Sequence, residues 1–112
     1  MFINARTDAY LAKLPSPMTE TIHRIKRYEN AGATGIFVPF MSDKNEIRQV
    51  TSATKLPVNV LCMKQLPGFN ELAELGVKRI SMGGAIQLSA TSSIEATIQT
   101  ILQEQSFDSL FK

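Results

Sequence analysis

Short apolar runs alternate along the chain with longer stretches of helical period. Four runs rich in β-branched residues, "FINA" (2–5), "GIFV" (35–38), "PVNVL" (57–61) and "KRISM" (78–82), are each bounded by glycine, proline or polar residues. They are too short for helices and predict strands. Between the first two, "SPMTETIHRIKRYENAGA" predicts a helix with Ser16 as N-cap, Pro17 at the first helical position and Gly32 as the stop. Its apolar residues Met18, Ile22, Ile25 and Tyr28 form one stripe. "SDKNEIRQVTSAT" opens with Asp43 and Glu46 three apart, a capping-box spacing in which Asp43 accepts from the helix amides. "PGFNELAELG" predicts a short helix ended by Gly76. In the last helical stretch, "TSSIEATIQTILQEQ", Ser92 and Glu95 stand at cap spacing, and Ile94, Ile98, Ile101 and Leu102 share one side.

The order is strand then helix, four times over, which predicts an α/β fold with parallel strands and helices covering the sheet. Ile36, Val58 and Ile80 stand 22 residues apart, an even βα repeat. Four such units suit half of a (β/α)8 TIM barrel at least as well as a flavodoxin-like open sheet. At 112 residues the chain is expected to be a single domain, 1–112, with 106–112 as a C-terminal tail. In that tail Phe107, Leu110 and Phe111 would make one apolar face on a helix, in need of a cover.

Alternation along each strand decides which side chains share a face. Ile3 and Ala5 face one way, Asn4 and Arg6 the other; Val58 and Val60 oppose Asn59; Ile80 and Met82 oppose Arg79 and Ser81. Three of four strands therefore turn apolar groups toward the helix layer and polar ones toward the barrel axis. Burying Asn4, Arg6 and Asn59 unpaired would cost several kcal/mol, roughly, so they need each other, water or a ligand. Arg6 ends its strand, and βα barrels carry their sites at the carboxyl ends of strands. A guanidinium there suits a carboxylate or phosphate, because its fork of donors matches two oxygens at once. The competing reading is a structural ion pair of Arg6 with Asp8.

Composition adds limits. Lys and Arg exceed Asp and Glu by two, and the one basic run, "HRIKR" (23–27), falls at helical positions, which reads as a solvated face and not as a nucleic-acid surface. The lone Cys62 has no internal disulfide partner and sits in an apolar run, as a small buried hydrophobe would. No apolar stretch approaches the length of a membrane span and no secretory signal pattern is visible, so a cytoplasmic location is the expectation. His23, away from any strand end, is expected to be exposed and not a catalytic base. Gly83 and Gly84 after the last strand fit either a phosphate-binding loop or a turn needing positive φ.

"NARTDAYL" (4–11), "RYENAGATGIFVP" (27–39), "LPVNVL" (56–61) and "ELAELGVKRISMGGA" (71–85) resemble, in order and spacing, the second half of the isocitrate lyase and phosphoenolpyruvate mutase superfamily, most nearly its phosphoenolpyruvate mutase-like members. The resemblance implies strands five to eight of a (β/α)8 barrel, with four βα units expected upstream of Met1. It implies chemistry on C–C or P–C bonds of small oxo acids with Mg2+. Arg6 matches the arginine that grips a substrate carboxylate or phosphonate, and Asn59 an asparagine lining the same pocket; Asn4 shares their face. The metal-holding acids and the catalytic loop belong to the family's other half, so catalytic residues stay unassigned and no metal ligands are expected here. Phe40 stands where some lyases of the family have an acid, and Val60 and Leu61 where they have polar residues, which argues against cleavage of isocitrate or methylisocitrate.

Two readings follow. In the first the chain is the substrate-anchoring half of such an enzyme, inactive alone. In the second it is a non-enzymatic truncated relative that self-associates through its open face and unpaired strand edges, and a homo-oligomer is expected. No nucleic acid or membrane partner is expected in either.

Overall fold

The computed structural model describes residues 1–112. Four strands alternate with four helices: β1 (Asn4–Arg6), α1 (Pro17–Asn30), β2 (Gly35–Val38), α2 (Lys44–Ala53), β3 (Val58–Leu61), α3 (Phe69–Glu74), β4 (Arg79–Ser81) and α4 (Ala85–Glu104), followed by a 3-10 turn at Asp108–Phe111. The strands are all parallel and lie in the order β1-β2-β3-β4. Sequential order is what a barrel wall requires, whereas a flavodoxin-like sheet reverses direction at its second strand. The chain is thus an α/β half-barrel of βα units. Its contacts divide it into two compact units, Met1–Ser81 and Met82–Lys112.

In the first unit one sheet face and three helices share a core. Ile36 and Val38 of β2, Val58 and Val60 of β3, Ile25 of α1, Ile47 and Val50 of α2, and Leu72 of α3 are all buried in one cluster, with Ala5 and Ile80 packed against it. Strand alternation therefore sorts the residues as the pattern predicts. The 22-residue repeat holds where Ile36 pairs with Val58, but β4 slides by two, so that Ile80 pairs with Val60.

The local signals explain the helix boundaries. At α1, Pro17 fills the first turn and Gly32 stops the helix at φ +95°, while Ser16 occupies the cap position without a side-chain bond. Asp43 caps α2 by accepting from the amides of Asn45 at 2.9 Å and Glu46 at 3.0 Å. Gly76, at φ +92°, ends the chain's turn out of α3.

β3 and β4 are slightly shorter than the runs 57–61 and 78–82, and two boundaries shift further. β1 runs Asn4–Arg6, not over residues 2–5, because its partner β2 begins at Gly35 and pairs it with Asn4. Ile3 is instead tied to the loop before β2: its amide donates to Thr34 Oγ1 at 2.6 Å and its carbonyl accepts from the Thr34 and Gly35 amides.

In the second unit, α4 starts at Ala85 with Gly84 as N-cap, so Ser92 is a mid-helix residue and not a cap. Ala85 to Ala90 contain no breaker, and the helix extends back to the first glycine. Hydroxyls within it are satisfied by the preceding turn, as Ser93 Oγ donates to the Ser89 carbonyl at 2.9 Å. Of the two open readings of the glycine pair, the turn fits: Gly83 has φ +55°. None of the α4 residues is buried, and Ile94, Ile98 and Leu102 are exposed, as are Phe107, Leu110 and Phe111 of the tail. No helix is long and apolar enough to cross a membrane.

Candidate functional site on the inner sheet face

The sheet face turned away from α1, α2 and α3 carries Asn4 and Arg6 of β1, Gly35 and Phe37 of β2, Asn59 and Leu61 of β3, and Arg79 and Ser81 of β4. Register aligns Arg6, Phe37, Asn59 and Arg79 in one row across all four strands. Strand spacing sets Arg6 and Asn59 roughly 10 Å apart at their Cα atoms, a gap that an arginine side chain and a small acid can bridge.

Arg6 Nε donates to Asp8 Oδ1 at 2.6 Å. The ion pair weighed against the anion grip is therefore present, yet the side chains are 49% and 47% exposed, where such a pair contributes about 0–1 kcal/mol. It uses Nε, and no other hydrogen bond joins the Arg6 side chain to the protein. The guanidinium carbon lies 5.7 Å from the centre of the Phe37 ring, within cation–π range. Arg6 thus lies between Asp8 and the Phe37 ring of the next strand, with no hydrogen bond from its outer nitrogens to the protein.

Asn59 is 2% exposed. Its Nδ2 donates to Ser81 Oγ at 2.9 Å. Asn4 is half-buried and its Oδ1 has no partner. Gly35 leaves room for two side-chain tips above β2: a Cβ there would lie 2.6 Å from Phe2 Cζ and 2.9 Å from Asn4 Oδ1, so both would have to move. Phe2 in turn supports Arg79, whose guanidinium carbon is 5.0 Å from that ring's centre. The sequence pattern brings Asn4, Arg6 and Asn59 to one face as predicted, whereas Phe37 as a platform and Ser81 as a partner of Asn59 were not foreseen. Alternation puts Ser81 on that face, and the even 22-residue repeat would set it directly opposite Asn59; the two-residue slip of β4 places Arg79 there and leaves Ser81 on the diagonal, from which its hydroxyl still reaches Asn59.

Other candidates lie elsewhere. His23 is exposed on α1, and Cys62, just past β3, is half-buried, more open than the apolar run around it suggests. In "HRIKR", Arg24 pairs with Glu20 and Ile25 is buried, so the run divides between core and solvent. Tyr10, beyond β1, packs against the core with its hydroxyl buried and without a hydrogen bond of good geometry. Burial first, then the charges of Glu46 and Asp43, push its phenol above the usual range and keep it neutral.

Such a row lies where βα barrels carry their sites, at the carboxyl ends of the strands, and its arginine has the fork of donors that a carboxylate or phosphate can take. The phosphoenolpyruvate phosphomutase family profile matches residues 1–102. An uncharacterised protein of Mycobacterium tuberculosis is 42% identical over 85 residues, covering 74% of this chain and 32% of that protein. Oxaloacetate decarboxylase of Pseudomonas syringae pv. tomato is 30% identical over 107 residues, covering 94% and 35%. Among solved structures, a candidate phosphonomutase of Burkholderia cenocepacia superposes with a TM-score of 0.81 at 38% identity, over 88% of this chain and 42% of that one. A 2,3-dimethylmalate lyase of the phosphoenolpyruvate mutase/isocitrate lyase superfamily has the same fold at 19% identity, TM-score 0.77, over 94% and 38%. The chain belongs to the phosphoenolpyruvate mutase/isocitrate lyase superfamily. It spans about a third of the length of the curated relatives it matches.

That superfamily is generally metal-dependent. Mg2+ is held by carboxylates together with water, and this chain's residues do not fit it: no three His, Cys, Asp or Glu side chains come together. Asp8, the acid nearest the site, is engaged by Arg6.

Proposed function

We propose that this chain carries the substrate-anchoring part of an enzyme that makes or breaks C–C or P–C bonds in small oxo acids, and that it is inactive without further residues. The observation that carries the reading is Arg6 at the carboxyl end of β1, within cation–π range of Phe37 and in one row with Asn59. In this reading an incoming carboxylate or phosphonate displaces Asp8 from a weak exposed pair and takes the guanidinium fork. Asn59 and Asn4 then offer neutral donors and acceptors to the rest of the ligand. The family named for phosphoenolpyruvate and the relative named for oxaloacetate favour a three- or four-carbon oxo acid or its enol form as the substrate class. Any Mg2+ would be held by residues outside this chain.

Oxalate, a planar mimic of an enolised oxo acid, is a suitable probe for titration calorimetry. Arg6→Ala is expected to weaken oxalate binding at least ten-fold, about what losing a charge-assisted hydrogen bond costs. Equal binding by both proteins would sink the reading.

The second reading, a self-associating non-enzymatic relative, is favoured by a different observation: α4 leaves Ile94, Ile98 and Leu102 exposed along one i, i+4 row. In this reading a second copy covers that row. Sedimentation at micromolar concentration should then give a dimer or larger, and Ile98→Glu should shift it toward monomer. A native monomer would remove the reading.

A further inference from the structure

Ser81 is the last residue of β4, and its carbonyl accepts from the Cys62 amide at 2.7 Å, which fixes the direction of its side chain. Its Oγ lies 2.9 Å from Asn59 Nδ2 and 3.3 Å from Asn59 Oδ1. No other side chain bonds that carboxamide. The neighbours in register do not compete for it: Phe37 is apolar, Arg79 is stacked on Phe2, and Leu61 stands opposite Ser81. A carboxamide has two N–H donors and an accepting oxygen, so a single hydroxyl leaves one donor and most of the acceptor capacity free. Asn59 is nevertheless almost wholly buried, at 2% exposure. A buried, half-satisfied amide held by one short bond is a preorganised group awaiting a further partner.

Resting on the acid-binding reading above, we propose that Ser81 is a positioning residue for the ligand. It holds Asn59 through Nδ2, so that the second N–H of the carboxamide meets the oxo or hydroxyl oxygen of a small acid whose carboxylate is gripped by Arg6. Serine suits this role because its hydroxyl rotates, accepting from Nδ2 and donating to Oδ1 by turns. Without it no hydrogen bond would choose between the two flipped orientations of the buried carboxamide, and the ligand would have to set it at each binding event.

The test is oxalate titration of the full 15N-labelled chain, followed by the Asn59 side-chain amide signals, which are identified by their loss in Asn59→Asp. In the native chain the Asn59 pair should be dispersed and should shift with oxalate. Ser81→Ala should collapse the pair toward free-amide positions and weaken oxalate about ten-fold, while Ser81→Thr, which keeps the hydroxyl, should stay within about three-fold of native. In an Asn59→Ala background, Ser81→Ala should add almost nothing, since the two act as one unit. If Ser81→Ala does not fold, Ser81→Thr against Ser81→Cys decides the matter, because a thiol is a poor donor of similar size. Oxalate affinity insensitive to loss of the hydroxyl, with Arg6→Ala still weakening it, overturns the role of Ser81 alone. Absence of oxalate binding by the native chain overturns the acid-binding reading and this role with it.

Discussion

Replacing Ile36 by alanine is expected to lower the stability of the chain by about 3 kcal/mol, within the range for removing a fully buried branched side chain from a core. Ile36 is 0% exposed and sits mid-strand in β2, paired with Ala5 on one side and Val58 on the other. Ala5 is too small to fill the space left behind, and both neighbouring backbones are held by the sheet, so the cavity cannot collapse. Such a loss is a large share of the roughly 5–15 kcal/mol that keeps a domain folded. Ile36→Val, which removes one methylene, should cost about 1 kcal/mol. Urea denaturation of the three proteins measures both; similar midpoints for all of them would show that the helices do not close over this face.

The other large effect is expected at Gly76. Its φ of +92° lies where side chains are rarely tolerated, and a Cβ there would come within 3.1 Å of Thr51 Cβ and Oγ1. Thr51 has no room to retreat, since its Oγ1 donates to the Leu75 carbonyl at 2.6 Å and ties α2 to the end of α3. Gly76→Val therefore has to strain the backbone and displace that bond together, at a cost of about 2 kcal/mol or more. Gly32, at φ +95°, has nothing within 4 Å of the same position, so Gly32→Ala should show the backbone cost alone. Thermal or urea unfolding that ranks Gly32→Ala as the worse of the two would refute the account of Thr51.

Both effects come from features that the sequence displays with unequal clarity. Ile36 declares itself by alternation: in "GIFV" the period of two puts Ile36 and Val38 on one side, and the same rule works for Val58 and Val60. Gly76 declares itself only as a stop, and its contact with Thr51, 25 residues earlier in the chain, cannot be read from spacing. The misplacement of the α4 start has a similar cause. Ser92 and Glu95 have the spacing of a cap, but a hydroxyl can equally bond back within a helix, and the pattern does not distinguish the two.

For the site, residue types and alternation were enough to put Asn4, Arg6 and Asn59 on the polar face, because side-chain direction in a strand is a local property of the backbone. They were enough, too, for the order of βα units and for the core of the first unit. Register is not local. It depends on how each helix lets the next strand slide, and a slip of two residues at β4 keeps every side chain on its face while changing its neighbour. That slip sets Arg79 opposite Asn59 and moves Ser81 to the diagonal, where its hydroxyl still bonds the carboxamide, and the Phe37 ring comes within cation–π range of Arg6. Burial, hydrogen-bond partners and the choice between an exposed ion pair and an available fork all arise from contacts between segments far apart in the chain, which a one-dimensional pattern does not contain.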